Sequence, residues 1–91
     1  MHWCNDVRIK GLKWDKRNIF HIACHGITVK DAEDVCSGSH IARKAKGRYL
    51  LYGETEAGRH IFIVLDKTGD SFRPITARDM SESEKKIYKK K

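Results

Sequence analysis

The chain has 91 residues, 34% of them charged, and its 19 Lys and Arg oppose 12 Asp and Glu to give +7 with histidine neutral. That length supports one domain (1–91) with one modest core, and 40% hydrophobic residues suffice to fold it without disulfide staples. No apolar run approaches the roughly 18–20 residues of a bilayer span, so the excess of cations points to anionic partners such as nucleic acid or an acidic protein.

Residues 1–6, Met1-His2-Trp3-Cys4-Asn5-Asp6, show no pattern and read as an irregular extension; they lack the basic-then-apolar order of a secretory signal. Three cysteines, an odd number, make no disulfide framework. Cys24 and Cys36 sit in apolar, helix-like surroundings and read as reduced core thiols, which suits a cytoplasmic location.

Arg8 to Trp14 alternates basic with largely apolar positions around Gly11 and predicts a short strand. Asp15 reads as an N-cap, with Ile19, Ile22 and Ala23 at helical spacing and Gly26 as the stop, giving a helix over 16–25. Thr28 caps the next helix, with Asp31 at the reciprocal position of a capping box and Val29, Ala32, Val35 and Cys36 on one face. The period then changes to two. Ile41–Ala45, Tyr49–Tyr52, His60–Leu65 and Phe72–Ala77 read as strands, separated by turns at Gly47, Gly58 and Gly69. Pro74 cannot donate to a ladder, so the last strand is an edge locally or the proline faces a non-bonded position. Ser81 and Glu84 form a capping box for a terminal helix, and Lys89–Lys91 reads as a frayed tail. The order predicts an α+β fold: strand, two helices, a mostly antiparallel meander of three or four strands, and a C-terminal helix.

Several stretches in this order resemble the BrnT family of bacterial toxins, within the RelE-like group. They are Trp14-Asp15, Asn18, His25-Gly26, Ala32-Glu33-Asp34-Val35, Gly53 to Arg59, and Ile75 to Met80 with Glu84 and Tyr88. Together they span about residues 8–90; Pro74 and Cys24 depart from the family pattern. The resemblance implies a RelE-like fold and a type II toxin: a metal-independent endoribonuclease, without cofactor, that stops translation. It also implies a cognate antitoxin, usually with a ribbon-helix-helix DNA-binding domain, whose complex with the toxin represses their promoter.

Metal-free RNA cleavage needs a base for the 2′-hydroxyl, positive charge on the phosphorane and an acid for the 5′-oxygen. Arg78 ends the last strand and suits a bidentate grip on a phosphate; the plainer reading is a surface ion pair with Glu82 or Asp79. Tyr88 suits an acid or a stacking surface, or else a helix contact beside Ile87. His60 fits acid or base work, or a half-buried structural role. Glu54 closes a strand and is the best carboxylate base candidate, or a plain surface charge. The odd separation of Arg73 and Arg78 puts them on opposite faces of a strand unless Pro74 introduces a bulge. Arg73 is therefore expected to bind RNA backbone or antitoxin, and Arg48, Lys46 and Lys85 to extend the basic surface. His21, Cys24 and His25 lie close together on one helix, but no second ligand pair accompanies them, so no metal is expected.

Overall fold

The structure is a computed structural model and describes residues 4, 5, 9, 12–38, 40–69 and 71–90. Its elements run β1 (Cys4–Asn5), α1 (Lys16–Ala23), α2 (Val29–Ser37), β2 (His40–Ala45), β3 (Arg48–Glu54), β4 (His60–Thr68), β5 (Ser71–Asp79) and α3 (Glu82–Lys89). The strands form one antiparallel sheet in chain order, a four-stranded meander with the two-residue β1 added beside β2. No helix among the described residues is long and apolar enough to cross a membrane.

Local chemistry accounts for each helix start. Asp15 accepts the Asn18 amide at 2.9 Å while the Asn18 side chain accepts the Asp15 amide at 2.8 Å. Thr28 and Asp31 repeat this exchange for α2, and Ser81 and Glu84 for α3. Each reciprocal pair satisfies two backbone donors that the first helical turn leaves open. Between β2 and β3, Lys46 and Gly47 both take positive φ, 51° and 79°. That two-residue turn matches the twist of the flanking strands.

The alternation of each strand divides the side chains between two faces. On one face, Ala42, Leu51, Ile61, Ile63, Leu65, Phe72 and Ala77 pack against Ile22, Ile27, Ala32, Val35 and Cys36 of the α1–α2 layer. On the other, Ile41 and Tyr52 pack with Met80 and Tyr88 where α3 crosses the sheet, and Leu50 and Phe62 border the cluster. The larger cluster thus lies between the sheet and the α1–α2 layer, and the smaller one under α3.

Four details differ from the sequence reading. Within 1–6, Cys4–Asn5 is paired with Ala42 and Ile41 rather than irregular. Of the strand expected over 8–14, Arg8, Lys10 and Gly11 lie outside the described residues; Leu12 makes a single parallel bridge to Phe72, and Lys13 donates to the Phe72 carbonyl at 2.8 Å. Cys24 is exposed at the α1 terminus, whereas Cys36 is buried, with burial pushing its thiol up to about 12. At the other end, α3 runs through Lys89 with Lys90 as its C-cap, so it takes in part of the stretch read as a tail; Lys91 lies outside the described residues.

The fourth-to-fifth strand register carries the most consequential irregularity. Val64 pairs with Thr76 but Leu65 pairs with Pro74, leaving Ile75 as an extra residue. Before the bulge Phe72 and Pro74 are buried; after it the buried position is Ala77. The inserted residue therefore shifts the alternation by one. Arg73 and Arg78, expected on opposite faces unless a bulge formed at Pro74, share the one that carries α3, because the bulge lies beside Pro74.

Candidate active site

Register alone places the candidate groups. On the α3 side of the sheet, cross-strand partners form successive rows: Glu54 with His60, then Ile41, Tyr52, Phe62 and Arg78, then Arg43, Leu50, Val64 and Thr76, then Arg48, Asp66 and Arg73. Rows are two residues apart along a strand, about 7 Å. His60 and Arg78 are thus neighbours although far apart in sequence.

At the first row the Glu54 carboxylate lies 3.6 Å from His60 Nε2. The distance is beyond a hydrogen bond and within the range of an ion pair when the imidazole is protonated. The His60 ring meets Tyr88 of α3 edge-on, 5.7 Å between centroids. Glu54 and Tyr88 also line an open cleft of about 390 Å³, together with Asp34, Ser37, Gly38, Thr55 and Glu56. Three carboxylates on that lining disfavour phosphate and suit hydroxyl or amino groups of a sugar or base. Lys30 offsets part of this charge, lying 3.4 Å from Asp34 and 4.0 Å from Glu56.

In the second row Arg78 stacks its guanidinium over Phe62, with Cζ 4.5 Å from the ring centroid. Both terminal nitrogens reach Glu84, at 2.7 and 2.8 Å, and one also donates to the Asp79 carbonyl at 3.2 Å. Neither sequence alternative for its partner holds, because Glu84 sits at the third helical position and points back over the strand end. Glu84 is thereby shared between capping α3 and holding Arg78. The Tyr52 hydroxyl in the same row is pushed up chiefly by burial and secondarily by Glu84, against the opposing charges of Arg43 and Arg78.

The Arg78 bond holds the Glu84 carboxyl below its ordinary value of 4.5, and the bond to Arg59 likewise lowers Asp79 from 3.8. Both groups are depressed in the folded state, so their contribution is complete above the unfolded values and is lost as pH falls through the folded ones. Urea unfolding should therefore show stability draining from about pH 5 downward. Glu84→Gln should lower stability at pH 7 and flatten that decline; an unaltered slope in the variant would contradict this assignment.

Sequence reasoning brought Glu54, His60, Arg78 and Tyr88 forward, and all four occupy one end of one sheet face. Of the basic candidates, Arg48 and Arg73 share a row of this face, while Lys46 and Lys85 lie apart from it. Arg48 pairs with Asp66 at 3.2 Å and Arg73 with Asp15 at 3.6 Å. Lys46 is in the β2–β3 turn, and Lys85 on α3 reaches Glu82 at 3.5 Å. His21 and His25 have ring centroids 5.7 Å apart on an exposed surface.

Arg59, which ends the resembling stretch Gly53 to Arg59 but is assigned no role there, is a structural hub. It binds Asp79 through two nitrogens at 2.7 and 3.0 Å, donates to the Gly26 carbonyl at 2.8 Å and lies 3.6 Å from Asp31. It joins the α1–α2 corner to the end of β5. The one available signal was the opposite charge of Arg59 and Asp79, two residues whose proximity follows from the β4–β5 pairing.

The chain matches no protein-family model, no curated protein and no solved structure.

Proposed function

We propose that this chain is a metal-independent endoribonuclease, acting in the cytoplasm as the toxin of a type II toxin–antitoxin pair. The observation that carries the reading is the convergence of Glu54, His60, Tyr88 and Arg78, with the basic balance of +7 favouring an RNA substrate. In this reading His60, poised by Glu54, takes the proton of a 2′-hydroxyl. The 2′-oxygen bonds to phosphorus, and the bond to the 5′-oxygen breaks. Tyr88 returns a proton to that oxygen, leaving a 2′,3′-cyclic phosphate and a 5′-hydroxyl. Arg78 stabilises the charge on the phosphorane once the phosphate has taken the place of Glu84. No cofactor takes part. A cognate antitoxin, of the ribbon-helix-helix type in the resembled family, neutralises the activity.

The Arg78–Glu84 bond favours a second reading, a relative that binds RNA or antitoxin without cutting, because the phosphate-binding fork is already occupied. Purified protein incubated with mRNA, alone and with translating ribosomes, separates the two, with primer extension locating new ends. The enzyme reading expects internal ends that vanish in Arg78→Ala at unchanged fold and nearly unchanged RNA affinity. Intact mRNA under both conditions, with only an affinity loss in Arg78→Ala, favours the binding reading.

A further inference from the structure

The α3-side rows beyond Arg78 suggest a path for the substrate. Phe62, Leu50 and Val64 form a half-buried apolar strip along β3 and β4. Arginines stand on both flanks: Arg78 and Arg73 on β5, Arg43 on β2 and Arg48 on β3. The bulge at Ile75 makes this possible, because a regular β5 would send Arg73 to the opposite face. Along β4, Phe62 and Asp66 are four residues apart, so Arg78 and Arg73 are separated by about 13 Å. One phosphate cannot bridge that distance. Successive phosphates of an extended single strand can, since each row advances about 7 Å, comparable to one nucleotide step.

We infer that this strip is a single-stranded RNA track, leading from the Glu54–His60 end along β4 toward Asp66. Arg43 and Arg48 hold the backbone on one flank and Arg73 on the other. The inference rests on the ribonuclease reading above and adds Arg43 to the binding residues. It also makes the footprint one-sided, about three nucleotides beyond the scissile phosphate, because α3 covers the other end of the face. Arg48 and Arg73 are half-exposed, and ion pairs of that kind are weak, so exchanging Asp66 and Asp15 for phosphate costs little.

The test uses a 2′-O-methyl oligoribonucleotide, which cannot be cleaved, and fluorescence anisotropy over a salt series. The variant Arg43→Gln/Arg48→Gln/Arg73→Gln should lose at least about tenfold in affinity, and its salt slope should fall by about two. Arg17→Gln/Lys44→Gln/Lys67→Gln removes the same charge from the α1–α2 side and should retain most of the affinity and slope. Should the triple arginine variant melt early, Arg48→Gln and Arg73→Gln singly should each lower the slope by somewhat less than one. Wild-type binding with equal losses in both triple variants would overturn the track and leave the nuclease reading standing. Displacement of the oligonucleotide by polyglutamate at equal charge concentration would also overturn it, in favour of an acidic protein ligand. No wild-type binding, together with no mRNA cleavage, would remove the nuclease reading itself.

Discussion

His60→Ala should cut mRNA about 100- to 10,000-fold more slowly than the parent protein, the range for loss of a positioned acid–base group. The expectation follows from the place of His60 between two other candidate groups, with Glu54 at 3.6 Å and the Tyr88 ring at 5.7 Å. Some stability should be lost as well, because the imidazole side chain is only 21% exposed and meets Tyr88 edge-on, so the rate is compared at a temperature where both proteins are folded. Glu54→Gln should fall between the two, since the carboxylate acts on the substrate through the imidazole. Cleavage by His60→Ala at the parental rate would exclude the histidine from the chemistry.

The largest stability effect should come from Ile63→Ala, a loss of about 3 kcal/mol within the usual range for emptying a core position. Ile63 is fully buried at the middle of β4, between Leu51 on β3 and Ala77 on β5. Its layer is closed above by Ile22 and Val35. Hydrogen-bonded strands on both sides keep the cavity from collapsing, and Ala77 is too small to fill it. The melting temperature should fall on the order of 15 °C. A change under 1 kcal/mol in urea unfolding would mean that the α1–α2 layer relaxes onto the sheet, contrary to the packing described.

The local parts of this fold are legible in the sequence. Asp15, Thr28 and Ser81 mark three helix starts as short polar caps, and for Thr28 and Ser81 an acidic partner sits three residues on. The alternation in His60–Leu65 marks β4, an inner strand, because one face is buried along that stretch. What is not legible depends on distant residues meeting. Arg78 finds Glu84 rather than Glu82 or Asp79 because the turn after β5 aims the third residue of α3 back at the strand. Asp79 is engaged by Arg59, whose neighbour His60 begins β4. Cys24 looked apolar in its neighbourhood, yet α1 buries only Asn18 and Ile22 and leaves its terminus in solvent. The candidate site was legible as a set of residue types, and their shared face came only with the register. Arg73 is the clearest case: the separation from Arg78 gives one face, and a single extra residue gives the other.

That extra residue also bears on how this sheet ends. A strand at the edge of a sheet is a template on which a neighbouring molecule can add its own backbone, the first step toward filaments. On β5 the template is interrupted. Pro74 has no N–H to offer, Ile75 breaks the repeat next to it, and Lys13 already takes the Phe72 carbonyl. An incoming strand meets no run of evenly spaced donors and acceptors across this stretch. The irregularity that lines up the arginines thus doubles as protection against self-assembly, and straightening β5 by deleting Ile75 should make the protein prone to aggregate while leaving Arg73 opposite Asp66, on the face of Arg78.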